Sequence, residues 1–464
     1  FFDEGKYCLM IGEDNSISEA GDFVIEELKI ITSAGNEITV TPTAIVLYED
    51  TAMSTISGDM LFSDAIGLSG IAPILGQEFL RLRIRTPSFD SEDVVINYSD
   101  DPLAIQSVGK KEYLTNGVEL VSINFVANDF LKNMRKKLSK KVEGSYSSII
   151  KKVLKEDIKT RKKDSQLFIS DTVGNKKVVI PNLRPFDFIQ MAAKESLSKA
   201  TSAPGFIFFE TFRGYVFKSF SDIFATEPTA IFDPDITLEE LVVRSGPARG
   251  THDIIKGFQY VNDYEITQGN DIVFNHAGGV YGSKLIVHDI MNKEYKEHTF
   301  NYLESFNEKE HLDKNPAFSP VTYEDGKKIS DHPVRTFLHP ASLKGDRDAS
   351  FSKGTEYPFA PKRSEAWLQK SISQRIQMEQ GYSVHILVRG NTAVSAGDIV
   401  RFDVPLPASL DRDDTFLGAE DGHDPLYKGL FFVKRIKHTF DIKTMKHSML
   451  MTLIKDALPT KLVA

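Results

Sequence analysis

From Phe79 to Arg85 the chain alternates, with Leu80, Leu82 and Ile84 on one face and Arg81, Arg83 and Arg85 on the other. A period of two is that of a half-buried β-strand, one side toward a core and the other toward water or a partner. Segments of similar character recur between Phe23 and Phe130: FVIEELKII, EITV, TAIVLYE, SGDMLF and VELVSINFV, broken by Gly, Pro, Asn and Asp. Gly58, Asp64, Pro73, Gly76 and Glu78 stand where turns are needed around the alternating strand. About six or seven short strands at this spacing predict a small β-barrel or sandwich.

After Asn128 the period lengthens. Asn128 or Asp129 is placed to cap a helix holding Phe130, Leu131, Met134 and Leu138, and Ser145 or Ser147 to start another with Ile149, Ile150, Val153 and Leu154. Ile180-Pro181-Asn182 leads into a third helix carrying Phe186, Ile189, Met191, Ala192 and Ala193. GFIFFET and YVFKSF, joined at Arg213-Gly214, read as a hairpin. Between about Thr251 and Tyr357 strand-like pieces (GFQYV, KLIVHDI, EYKEHTFNY) lie among polar stretches such as GKKISDHP and KGDRDASFSKG, which predicts a loop-rich insertion. Ser364 to Glu379 reads as a helix with Leu368, Ile372 and Ile376 on one face, Trp367 beside them and Gly381 as its stop. YSVHILVRG, GDIVRFDV, GLFFVKRIKHTF and SMLMTLI return the pattern to strands. The expected class is α+β, mainly β, with two β-barrels flanking a mixed α/β middle.

Composition narrows the function classes. A chain of 464 residues exceeds one ordinary core, and about three domains are expected. A net charge of −9 argues against a dedicated nucleic-acid binder, though not against a local basic patch. The single cysteine, Cys8, permits no internal disulfide and no cysteine metal cluster, which suits a reducing compartment. No apolar run approaches the roughly 20 residues of a membrane span, and no charged-then-apolar segment near Phe1 marks a signal peptide. The expectation is a soluble protein made in a cytoplasm.

Four blocks, in order, resemble the baseplate hub (tail-tube cap) proteins of contractile-tailed bacteriophages, related to the hub part of type VI secretion spike proteins. They are the Gly58–Asp64–Pro73–Gly76–Glu78 run with its alternating strand, residues 120–156, residues 180–220, and Ser364 to Leu453 with Gly390, Gly397, Asp398 and His438. The resemblance implies two tube-like barrels per chain. It divides the chain into a first barrel (1–130), a mixed α+β domain (131–245), the start of the second barrel region with the insertion (246–362), and a helix with the second tube-like barrel (363–464). It implies a homotrimer whose pseudo-six-fold ring joins a six-fold tail tube to a three-fold central spike. The implied partners are further copies of the chain, the spike, the tube protein and other baseplate proteins, with DNA only in transit through the bore. The implied place is the virion tail, after assembly in the host cytoplasm. It implies no catalytic residue, cofactor or metal. Tailocins and type VI secretion devices use a similar hub.

There is no His-Glu-x-x-His, P-loop, Gly-x-Ser-x-Gly or Gly-x-Gly-x-x-Gly motif. His298, His311, His332 and His339 lack zinc-site spacing and read as ordinary surface histidines. Asp411, Asp413, Asp414, Glu420, Asp421 and Asp424 crowd one loop, but an EF-hand register puts Phe416 where glycine is required. Carboxylates in the 251–357 insertion leave open a peptidoglycan hydrolase, and a monomeric glycan- or receptor-binding module is a third class. Two basic features stand out as contacts to a neighbouring subunit or ring. One is Arg81, Arg83 and Arg85, which repel on one strand face unless solvated or paired. The other is Lys132, Arg135, Lys136, Lys137, Lys140 and Lys141, read as lining a helix.

Overall fold

A computed structural model describes residues 17–461 except 18, 65–66, 69–72, 88–93, 114–117, 238–250, 290–292, 319–321, 323–324, 341–364 and 407–421. Cys8, the KGDRDASFSKG stretch and acidic residues 411–421 lie outside these.

The first lobe is built of β1 (Val24–Ile31), β2 (Glu37–Thr39), β3 (Thr41–Asp50), β4 (Ser57–Asp64), β5 (Phe79–Arg85), β6 (Ile96–Asn97), β7 (Leu103–Tyr113) and β8 (Glu119–Val126). Leu80, Leu82 and Ile84 are fully buried and pack with Ile30, Phe62 and Ile123, as the alternation requires. β7 escaped the sequence reading because its apolar contacts lie in its first half, at Leu103, Ile105 and Val108, while its last five residues are exposed.

The middle unit contains β9 (Lys141–Gly144), β10 (Leu167–Ile169), β11 (Lys176–Val179), β12 (Phe206–Thr211) and β13 (Gly214–Ser219), followed by β14 (Ala230–Phe232). Ser145 caps the Tyr146–Lys152 helix by accepting from the Ser148 N–H. That helix runs into a π-helical turn, Val153–Ile158, closed by Lys159 in the left-handed region at φ 56°. Pro185 opens the Pro185–Glu195 helix, where its missing N–H costs nothing. The helix after β8 differs from expectation. It covers only Asn128–Met134, its N-cap is Ala127 without a side-chain bond, and it buries Asp129 and Asn133 while Met134 is exposed. Leu138 lies beyond it, bridged to Leu183. Lys136, Lys137, Lys140 and Lys141 therefore line no helix.

Residues 251–340 are not loop-rich. GFQYV is the end of a helix (Thr251–Gln259) and the start of β15 (Val261–Gln268). A helix (Ile272–Gly278) precedes β16 (Gly282–Asp289), β17 (Glu294–Asn301), β18 (Asn315–Pro316) and β19 (Arg335–Pro340), with β17, β16 and β19 forming a small sheet. Val280, Tyr281, Phe300, Tyr302 and Phe318 give this region its own core. β16 and β17 stand where KLIVHDI and EYKEHTFNY read as strand-like, whereas β19, largely exposed, gave no such signal.

The Glu365–Gln380 helix reverses its expected face. Gln369, Ser371, Ser373, Gln374 and Gln377 are buried, whereas Leu368, Ile372 and Ile376 are half-buried. Two of the inward polar groups have carbonyl acceptors, Gln369 donating to Ser283 O at 2.9 Å and Ser373 to Val280 O at 2.8 Å, whereas the Gln374 amide is buried without a partner among the described residues.

The second lobe comprises β20 (Tyr382–Arg389), β21 (Ile399–Phe402), β22 (Leu430–Asp441), β23 (Lys446–Lys455) and β24 (Ala457–Leu458), around Val384, Ile386, Phe402, Phe431, Met451 and Leu453. Both lobes share one fourteen-stranded sheet in the order β15-β20-β23-β22-β3-β4-β8-β7-β5-β1-β2, with β14, β21 and β6 as branches. The chain is thus mainly β, and the described strands of both lobes form one continuous ladder, with no closed barrel among them. The lobes meet where β22 runs antiparallel to β3, Arg435 opposite Asp50 through Asp441 opposite Ala44.

Candidate functional site: the joint between the lobes

The β12–β13 hairpin reaches from the middle unit to the seam. All of β12 is buried. Gly214, at φ 145°, allows the tight approach, since a Cβ there would lie 2.0 Å from Gln166 O. Its tip places Glu210, Phe212 and Arg213 against both lobes.

Glu49 is the hub of these contacts. In β3 it follows Ile45 and Leu47 on the buried face, and it is 2% exposed. Its Oε1 accepts the Phe212 N–H of the hairpin at 2.8 Å, while Oε2 accepts the Ala396 N–H at 2.7 Å and the Ser395 hydroxyl at 2.8 Å. One carboxylate therefore ties three units together. Burial pushes its pKa up to about 7, against the pull of those donors and of Arg213. Arg213 pairs with Asp398 at 3.0 Å and also donates to Ala393 O in the second lobe. Glu210 accepts the Ile56 N–H of the first lobe at 3.3 Å and pairs with Lys162 at 2.8 Å. The Lys162 ammonium lies 5.5 Å from the ring centres of both Tyr98 and Tyr215. Burial opposes its charge, but Glu210, Asp101 and Asp129 outweigh that and hold its pKa above the ordinary lysine value.

A histidine pair closes the other side of the seam. His438 Nδ1 and His447 Nε2 are 3.1 Å apart, and His447 stacks on Phe440 with ring centres 4.1 Å apart. Both rings are fully enclosed, and His438 Nε2 and His447 Nδ1 have no partner among the described residues. Gly390 makes the fit possible, because a Cβ there would lie 2.0 Å from His447 Cγ. Burial, with Arg213 adding to it, pushes His438 down to about 3. Burial and then His438 push His447 well below its usual range. Thr392 and Thr86 complete the seam, hydroxyl to hydroxyl at 3.1 Å.

The other residues singled out from the sequence serve local geometry. Asp64 accepts the N–H groups of Gly67 and Leu68 at 2.9 and 2.7 Å. Glu78 Oε2 accepts three successive N–H groups, from Leu75, Gly76 and Gln77, with Gly76 at φ 88°. A Cβ at Gly58 would lie 2.4 Å from Val46 O, and Gly397 sits against Phe209. The three arginines of β5 find carboxylates within the chain. Arg81 pairs with Glu37, while Arg83 and Arg85 share Glu26, each at 2.5 Å. Lys136 and Lys140 both reach Asp157, Lys136 through the main-chain oxygen at 2.8 Å and Lys140 through the carboxylate at 2.5 Å; Lys137 is exposed. His311 is no surface histidine. It is buried, pairs with Asp456 at 2.7 Å and stacks on Phe306. Among the described residues no three His, Cys, Asp or Glu side chains converge as metal ligands.

Sequence reasoning missed Glu49, Glu210, Phe212, Arg213, Lys162 and His447. The available signal was an acid at a core position of an alternating strand: Ile45, Leu47, Glu49.

No family model and no curated protein matches the sequence. The backbone does match a solved structure, the tail protein from Neisseria meningitidis MC58, over 94% of this chain and 97% of that one, at 11% identity and a TM-score of 0.50. The two share a fold. A prophage MuSo2 tail protein from Shewanella oneidensis aligns over 93% of this chain and 99% of its own, at 9% identity and a TM-score of 0.49. An E. coli component of the type VI secretion system aligns over 92% and 76%, at 10% identity and a TM-score of 0.40.

Proposed function

We propose that this chain is the structural baseplate hub of a contractile phage tail. Three copies form a ring in which each contributes two tube-like modules, near 1–130 and 363–464, carried by the mixed unit at 131–245. Six similar modules then meet a six-fold tail tube on one side, and three chains meet a three-fold central spike on the other, leaving a channel for the genome. Its place is the virion tail, and its partners are its own copies, the spike, the tube protein and other baseplate proteins.

The observation that carries this reading is the fold shared with a tail protein over nearly the full length of both chains. The joint adds physical support: a part that transmits force between rings needs its modules locked in register. Here a continuous ladder, the Glu49 carboxylate and the hairpin tip do so. The work is done by binding energy over large interfaces, without proton or electron transfer.

Light scattering on the purified chain tests it. The expected mass is three times 52.0 kDa. A single-chain mass up to the highest soluble concentration counts against self-assembly.

A further inference from the structure

The charge of this chain is segregated. Residues 132–177 hold fifteen Lys and Arg against five Asp and Glu, a net of +10, in a chain of −9, so all other residues together carry −19. Many of these cations are engaged within the fold: Lys132 with Asp129, Lys136 and Lys140 with Asp157, Lys155 with Asp164, and Lys162 with Glu210. Arg135, Lys137, Lys152 and Lys159 are exposed and, among the described residues, have no ion-pair partner. Lys152 lines the same cleft as Lys140, Lys159 adjoins Lys132, and Arg135 and Lys137 are the chain neighbours of Lys136. Lys132 donates to Lys159 O, Lys140 shares Asp157 with Lys136, and Lys140 also lines a cleft of about 330 Å³ between β9 and the Tyr146–Lys152 helix. Lys141 and Lys152 stand at this cleft, with Glu143 and Glu156 beside them and Val142, Ile149 and Val153 forming its apolar part.

We infer that this face docks a carboxylate-rich surface of a partner protein. The features decide against nucleic acid. Glu156 stands beside the lysines of the cleft, and Val142, Ile149 and Val153 give it an apolar part that a phosphate backbone does not use. A protein surface presents carboxylates over a limited area, together with donors for Glu156 and apolar groups for the cleft. The contact runs through Arg135, Lys137, Lys152 and Lys159, since Lys136 and Lys140 are already engaged by Asp157. The inference deepens the hub reading, on which it rests for why a partner is needed.

The test titrates the full chain into fluorescently labelled poly-L-glutamate, and separately into duplex DNA of matched charge, following anisotropy across salt concentrations. The comparison is a quadruple variant, Arg135→Glu, Lys137→Glu, Lys152→Glu and Lys159→Glu, with a Gln set as the milder version should the first fail to fold. Polyglutamate is expected to bind, to weaken with salt, and to lose about tenfold in affinity in either variant. Equal binding by a folded variant, no binding by the parent, or tighter binding of DNA overturns the inference. A trimeric mass without polyglutamate binding refutes this inference alone; a single-chain mass with binding refutes the hub reading alone.

Discussion

Acid is expected to remove the contribution that the histidine pair makes to the seam between the lobes. His438 and His447 share one hydrogen bond, and their two outer nitrogens are buried without acceptors, so an added proton has no partner. The folded pKa of His438 is about 3 against an ordinary 6.5. The folded state thus binds fewer protons than the unfolded one, and the stability contributed by His438 is complete above pH 6.5 and lost as pH falls toward 3. At pH 5 the loss is about 1.5 pH units, or about 2 kcal/mol at 1.36 kcal/mol per unit. Glu49 and Glu210, both pushed up to about 7, titrate in an overlapping window with the opposite sign. The quantity to measure is therefore the stability difference between the parent and His438→Leu, by urea unfolding at pH 7.5 and at pH 5. It should shift in the variant's favour by about 2 kcal/mol on acidification. A difference that does not change with pH would refute the reasoning.

Other perturbations bear on the same account. Glu49→Gln replaces one acceptor oxygen by a donor facing a backbone N–H, and should cost about 2–3 kcal/mol in chemical denaturation; an unchanged midpoint would remove Glu49 from the joint. Gly58→Ala forces a Cβ toward Val46 O and the Phe125 ring, and should cost about 1–3 kcal/mol in the same assay. The Lys309 Nζ is enclosed without a hydrogen bond although its stem is partly exposed, and burial pushes its pKa down to about 8. Its charge is therefore a burden below pH 8 that fades as pH rises toward 10.5. Lys309→Met should raise stability at pH 7 by about 1–2 kcal/mol, discounted for that exposure, and the gain should vanish near pH 10.

Local signals were legible wherever backbone periodicity met its usual environment. The β5 alternation, the hairpin at Arg213-Gly214, the Ser145 cap and Pro185 each act within a few residues, and the elements stand where those signals put them. The misses have physical causes. The exposed end of β7 has no apolar face to read. The Glu365–Gln380 helix turns Gln369 and Ser373 inward onto the carbonyls of Ser283 and Val280 and buries Ser371, Gln374 and Gln377 beside them, so its Leu368–Ile372–Ile376 stripe pointed the wrong way. The joint depends on partners far apart in the chain, Glu49 with Phe212 and with Ala396. Nothing around Glu49 announces those partners; only its placement on a core face hinted at them. The arginine face drew attention for its charge, yet Glu26 and Glu37, the carboxylates beside it, come from strands within the same lobe.

The central claim, a ring-forming hub, is most directly tested by electron microscopy of the purified assembly with its rotational symmetry measured. The account predicts a three-fold ring with pseudo-six-fold density around an open or plugged central channel. Single chains, or a two-fold particle without a channel, would contradict it.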